Sequence, residues 1–304
     1  MRAFLLCLTL CLCIPGLPGA APTQDDIAVA RQDYIAGNYE RALAVLRVAA
    51  EAGDAVALNI MGAAYDDGNG VAQDGAKAVA FFERAAAAGE IRARHNLGLL
   101  FSKGSGSVAP DPARARREFQ MAADAGYAFS MTELGRFAED QTPPDYSTAA
   151  DWYERAHNAG DLHATGNLAH AFVKGLGRDK DWGLARLLYT QAAMAGNARA
   201  FNDLGVMHQY GYGVHADPLT AIIYFQRGVQ AGDAKAGINL ADLASSAQVR
   251  FLKNDAILGY CYWGVAAAKA HDRDGFEETC ARLEAEMNAN DALRAAALRF
   301  AQGL

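Results

Sequence analysis

The sequence predicts an all-α chain, a right-handed α-solenoid of stacked helix pairs closed by a C-terminal helical cap. Three observations carry that prediction. The dipeptide Ala-Gly recurs with its glycine at positions 53, 89, 126, 160, 196 and 232, at gaps of 36, 37, 34, 36 and 36 residues. Nine residues beyond each glycine stands a small residue (Gly62, Gly98, Gly135, Ala169, Gly205, Ala241). Seven residues before it stands a large apolar one (Leu46, Phe82, Phe119, Tyr153, Tyr189, Phe225), and the same offset before Ala270 gives Trp263. No sustained two-residue alternation bounded by turns is found, so strands are not expected. In such an array no helix pair buries its apolar face alone, and stacked neighbours supply the core.

The first segment, residues 1–20, reads as a secretory signal. Arg2 gives a positive start, residues 3–14 are an uncharged apolar run, and Pro15, Gly16 and Pro18 break it before the small residues Gly19, Ala20 and Ala21. The run falls short of the roughly 18 to 25 apolar residues that a membrane-spanning helix needs. Cleavage is expected after Ala20, with no stable membrane insertion afterwards. Leu10 before Cys11 and Leu12 before Cys13 do not offer the small residue that lipid attachment requires. The expected compartment is the periplasm, with secretion as the alternative. Removing the segment takes Arg2 with it and shifts the formal charge from -7 to -8. An acidic chain of this kind is a poor general nucleic-acid binder. With 52% apolar and 21% charged residues there is ample material for a core, and wholesale disorder is excluded.

Residues 21–53 read as a starter helix pair, with Gly37, Asn38 and Tyr39 as its turn. The array occupies 54–253. Its first helices carry apolar stripes at i, i+4 and i+8: Ala57, Met61 and Tyr65; Ala93, Leu97 and Phe101; Ala164, Leu168 and Phe172. A Gly-x-Gly turn follows (68 and 70, 104 and 106, 175 and 177, 211 and 213). An aspartate (Asp74, Asp111, Asp179, Asp217) then lies where it can cap the second helix. One period lacks the turn and has Pro143 and Pro144 instead, and residues 245–254 form a longer polar connection. Residues 254–304 keep one repeat-like helix with Tyr260, Tyr262 and Trp263, then two capping helices near 274–287 and 291–301.

Three of five cysteines leave with the signal, so Cys261 and Cys280 remain as a possible disulfide. On antiparallel helices they would be offset by about 6 Å along the axis. The alternative is two buried free cysteines.

Ala93, Asn96, Leu97, Gly98 and Phe101 match one half of a known motif, and Gly68, Gly70, Val71, Ala78, Phe82, Ala85, Ala86 and Gly89 match the other. In these residues the chain resembles the Sel1-like repeat family, relatives of the tetratricopeptide repeats. The resemblance implies a non-enzymatic scaffold that binds a protein partner, an envelope or signalling modulator among exported bacterial members. A structural part of a secretion or polysaccharide assembly is the alternative. An envelope hydrolase, after the β-lactamase label that some relatives carry, is a further one.

Catalytic and cofactor motifs are not found. The Gly-x-Gly elements lack the Gly-Lys-Ser/Thr of a P-loop and the strand context of a dinucleotide site. No G-x-S-x-G, S-x-x-K, H-E-x-x-H or C-x-x-C occurs beyond the signal, so no cofactor or metal is expected. His163 and His170 lie seven apart without an identifiable third ligand. His208 occupies the slot that Tyr65, Phe101 and Phe172 fill elsewhere, as a packed structural residue would. Trp152, Phe81, Tyr224 and Tyr262 are candidates for partial exposure.

In the related tetratricopeptide solenoids the first helices line the concave surface. Positions i, i+3, i+7 and i+10 opposite the packed stripe give the expected partner-binding groove: Arg92, His95, Arg136, His163, His170, Arg199, Asn202 and Lys235. Its cations outnumber Glu139 and Asp242, so the expected partner is an acidic peptide or protein segment, held more tightly as the histidines protonate below about pH 6.5.

Overall fold

The computed structural model describes residues 22–245. The expected signal segment, the expected cap over 254–304 and the Cys261–Cys280 pair lie outside these residues. Thirteen helices occur among those described: α1 (Gln24–Ile35), α2 (Tyr39–Glu51), α3 (Ala55–Asp67), α4 (Gly75–Ala87), α5 (Ile91–Lys103), α6 (Pro112–Asp124), α7 (Ala128–Glu139), α8 (Tyr146–Asn158), α9 (Leu162–Lys174), α10 (Trp182–Met194), α11 (Ala198–Tyr210), α12 (Pro218–Gln230) and α13 (Ala234–Ser245). No strand forms among these residues, and Ser105 and Val108 make an isolated bridge. None of the described helices is long and apolar enough to cross a membrane.

The residues divide into two compact units after Glu118, within α6. In the first, α1 packs on α2, α2 on α3, α3 on α4 and α4 on α5. Leu46, Leu58, Met61, Phe82, Leu97 and Leu100 form its buried centre. In the second, the same succession runs from α7 to α13 around Phe119, Tyr153, Leu168, Tyr189, Leu204, Phe225 and Leu240.

The sequence marks explain the local structure. In three repeats the aromatic of the second helix lies against the glycine of the first. A Cβ added at Gly62 would come within 2.6 Å of the Phe82 ring, and one at Gly135 or Gly205 would overlap Tyr153 or Phe225. Glycine at these helical positions costs about 1 kcal/mol in propensity, which ring burial of ~2 kcal/mol or more offsets. At the turn after α11, Gly211 and Gly213 take φ of 75° and 69°, values that glycine alone adopts without penalty.

Helix starts are capped by carboxylates and amides. Asp74, Asp111, Asp145 and Asp217 accept backbone N–H bonds from Lys77, Arg114, Thr148 and Thr220. Asp179 does not cap α10: Asp181 does, accepting from the Leu184 N–H at 2.9 Å. First helices are capped too, by the residue that follows Ala-Gly: Asp54, Glu90, Asp161, Asn197 and Asp233. Each such cap contributes about 1 kcal/mol.

Candidate functional site

Two junctions between first helices are made through an amide pair. Asn96 Nδ2 donates to Asn59 Oδ1 at 2.9 Å, and Asn239 Nδ2 donates to Asn202 Oδ1 at 2.7 Å. In each pair the donor precedes the small marker residue by two and the acceptor precedes the previous marker by three. The second position is therefore a buried inter-helix contact. Asn202, expected on the open groove, is 6% exposed and tied to Asn239. Ile238 and Thr132, in the same register, are buried as well, and the Thr132 hydroxyl donates to Asp161. The face chosen from helical spacing thus mixes a packed flank with an open one.

The other expected groove residues fall into two groups. In the first unit, Arg92 forks onto Glu90 through Nε and Nη2, both at 2.8 Å. Its guanidinium holds the Glu90 carboxyl below the usual range. His95 is half-buried on the same helix. In the second unit, Arg136 is 61% exposed and pairs with Glu133 at 3.5 Å. His163, Arg199 and Lys235 are exposed, and His170 is half-buried. Burial, then Arg199 and Lys174, lowers the His170 pKa, so it takes up a proton only at more acid pH than an ordinary imidazole.

His163, His170 and Arg199 line one cavity of about 300 Å³ in the second unit. Gly166 and Asn167 complete its α9 wall, Asn197 and Asp203 its α11 wall, and Glu139, Tyr146 and Tyr189 close it. Two tyrosines anchor this floor. Tyr153 donates its hydroxyl to Glu139 Oε2 at 3.0 Å, and Tyr189 lines the cavity beside Asp203. Burial pushes both phenols up, and it raises Asp203 as well, against the pull of Arg199. The result is a mixed site, with donors from Arg199, Asn197 and the imidazoles and acceptors from Asp203 and Glu139.

A second cavity of about 400 Å³ adjoins it, sharing His170, Tyr189, Arg199 and Asp203. Its walls are more apolar: Val173, Val206, Met207, Trp182 and Tyr212. Trp182 stacks on Tyr212 at 4.8 Å, and Tyr212 on the exposed Tyr210 at 5.7 Å. Lys174 and Lys180 stand at the edge. Sequence reasoning missed Asp203 and these aromatics. A signal for Asp203 was present, since asparagine occupies its register at 96, 167 and 239.

The half-buried aromatics have packing partners. Phe81 stacks on Tyr65 at 5.5 Å, Tyr224 on His208 at 5.3 Å, and Arg155 lies over Trp152 at 4.0 Å. His208 is packed as expected, but its buried Nδ1 has no hydrogen-bond partner, and burial lowers its pKa. Among the described residues no group of three or more His, Cys, Asp and Glu is placed to hold a metal ion.

A model of the Sel1 repeat matches residues 55–90, 91–127, 128–161, 163–197 and 198–233, more than half of the chain. The solved structure of a Sel1 repeat protein from Oxalobacter formigenes is similar, with TM-score 0.70 and 25% identity over 83% of this chain and 99% of that one. So is c5321, a protective antigen of uropathogenic Escherichia coli displaying an SLR fold, with TM-score 0.67 and 25% identity over 91% of this chain and 60% of that one. An uncharacterized Neisseria meningitidis protein, NMB1327, is 28% identical over 51% of this chain. HRD3A of Arabidopsis thaliana, an ERAD-associated E3 ubiquitin-protein ligase component, is 27% identical over 45% of it. The chain spans only 32% and 21% of the lengths of these last two relatives.

Proposed function

The chain belongs to the Sel1 repeat family, and from that premise we propose that it is an exported, non-enzymatic scaffold that holds an acidic protein segment along the open face of its second unit. Sel1 repeats are typically protein-interaction scaffolds. The observation that carries the reading for this chain is the pair of adjoining cavities, polar on the α9 side and aromatic at Trp182 and Tyr212. An interface of this kind suits a segment with an apolar anchor beside polar groups. The exposed cations Arg136, Arg199 and Lys235, with His163, favour acidic side chains along it. Arg92 lies outside this surface, in the first unit, where Glu90 holds its guanidinium. The apolar, proline-terminated start of the sequence supports export to the periplasm.

The test is photo-crosslinking in intact cells from two positions, Arg199 in the cavity and Gln191 on the exposed side of α10. A partner captured from 199 and not from 191 supports the scaffold surface. Equal capture from both, or capture from 191 alone, removes it. Osmotic-shock fractionation of the same cells tests the compartment: retention of the chain in the cytoplasmic fraction rules out export.

A further inference from the structure

The amide pairing joins α3 to α5 and α11 to α13, and between α9 and α11 neither position carries its amide. Asn59 and Asn202 each offer a side-chain carbonyl to the next first helix. In the same register α9 has Gly166, which has no side chain, and opposite it α11 has Asp203 in place of an asparagine. The slot that an amide fills elsewhere is part of the 300 Å³ cavity. Two polar groups flank it. Asn197 uses its Oδ1 to cap α11, accepting from the Ala200 N–H at 3.2 Å. That fixes its Nδ2 toward the slot, 3.4 Å from where a Cβ on Gly166 would stand. Asp203, which accepts from Asn202 Nδ2 at 3.4 Å, lines the cavity beside Tyr189 and offers it a carboxylate acceptor. A donor on one side and an acceptor on the other form the complement of a primary amide, whose C=O accepts and whose NH₂ donates.

The geometry points to an amide-reading pocket: an Asn or Gln side chain of the bound segment enters beside Gly166 and completes between α9 and α11 the pairing that Asn59–Asn96 and Asn202–Asn239 make within the chain. Its carbonyl accepts from Asn197, and its NH₂ donates to Asp203. The flanking acidic positions of the segment meet Arg199 and His163. This rests on the segment-binding reading above and specifies the residue that the site selects. A site built around matched hydrogen bonds discriminates against an isostere that leaves one of its groups unpaired.

The experiment uses the full chain and fluorescent nonapeptide mixtures with degenerate flanks and a fixed central Asn, Gln, Asp or Leu, read by anisotropy. Asn or Gln mixtures should bind about tenfold tighter than Asp or Leu mixtures, the equivalent of about one matched hydrogen bond. Gly166→Asn fills the slot with the chain's own amide and should abolish that preference. Gly166→Ala adds only an ordinary contact and should retain it. Asn197→Ser keeps a capping oxygen but removes the donor, so it should lose the preference while the helix starts normally, which guards against a Gly166→Asn chain that does not fold. Preference for the Asp mixture, equal binding of all four, or a preference that survives Asn197→Ser overturns the amide pocket. Crosslinking from Arg199 separates the two failures. If a partner is still captured there, the segment surface stands without the amide pocket, and if none is captured both fall.

Discussion

Toward α13, helix α11 presents Asn202, which is buried and bonded at 2.7 Å, and the two helices pack against each other. Toward α9 the same helix presents Asp203 and Asn197 across Gly166, the helices meet sparsely, and a cavity opens. Both flanks belong to one helix with one set of scaffold residues. At the open flank glycine stands where the closed one has a side chain, and a carboxylate where it has an amide. A solenoid joint can thus be closed or opened without altering the residues that define the fold, and the opened joint is where a ligand can be read.

Five experiments test that contrast. The largest effect belongs to Gly205→Ala, on the scaffold itself. Its methyl would overlap the fully buried Phe225 ring, and overpacking should cost about 2 kcal/mol. Native-state hydrogen exchange of α11 and α12 amides would show it, and unchanged protection would mean that the ring is free to shift. Next comes the closed joint. Asn239→Ala strands Asn202 Oδ1 in a buried contact and should cost about 1.5 kcal/mol in urea unfolding.

His208→Phe places in α11 the residue that α5 and α9 carry at that register, Phe101 and Phe172. It removes a buried nitrogen without a partner and should stabilise by about 1 kcal/mol. It should also flatten the acid dependence. His208 and His170 both have folded pKa values below 6.5, so their neutral forms are favoured in the fold. The stability they contribute is complete above pH 6.5 and is lost as the pH falls below it. Asp203 acts in the opposite sense. Its raised pKa means that stability is lost as pH rises from 3.8 through the folded value. Melting temperatures between pH 4 and 8 separate the two, and His208→Phe should shrink only the decline below 6.5.

The open joint is tested by a smaller change. Gly166→Ala meets nothing closer than 3.4 Å, so helix propensity should prevail and give a gain of roughly 0.8 kcal/mol, opposite in sign to Gly205→Ala. A loss there would show that the joint has no spare room. Smallest of all, Arg199→Glu with Lys235→Glu should change stability by less than about 0.5 kcal/mol, since both side chains are exposed. It should nonetheless abolish capture of an acidic segment, and retained capture at neutral pH would remove the electrostatic part of the proposed function.

The sequence disclosed the scaffold well because its constraints are steric and repeat. A glycine under a ring, a glycine at positive φ and an aspartate before a helix each leave a fixed residue at a fixed offset. Even the misplaced cap was legible: Asp74, Asp181 and Asp217 each follow the second turn glycine by four residues, and Asp179 does not. The first-helix caps were legible in the same way, in the Asp, Glu or Asn after most Ala-Gly pairs. The groove was less so. Helical spacing places Arg199, Asn202 and Val206 on one face, but a helix with neighbours on both flanks buries part of any such face. Asn202 went to a neighbour. Arg92 was neutralised by a glutamate two residues away, which a count of charges along one face does not include. The cavity depended on the absence of a side chain at Gly166, which reads as an ordinary small residue until its neighbours are placed.

The second glycine of each Gly-x-Gly turn rests on the first residue of the second helix one repeat earlier: Gly70 on Tyr39, Gly106 on Gly75, Gly177 on Tyr146 and Gly213 on Trp182. The separation is 31 residues every time, although the repeats themselves run from 34 to 37. The 31-residue span behaves as a ruler that tolerates no insertion, and the slack lies outside it, after Gly106 and in the loop before Tyr146. Exchange of material between such genes would therefore succeed when breakpoints fall between the second turn glycine and the following cap. Breaks at the more conspicuous Ala-Gly pairs would split a turn from the surface that seats it. A chimera assembled on the visible repeat boundary and one assembled on the ruler differ by 17 residues or more at each junction, and only the second preserves every seat.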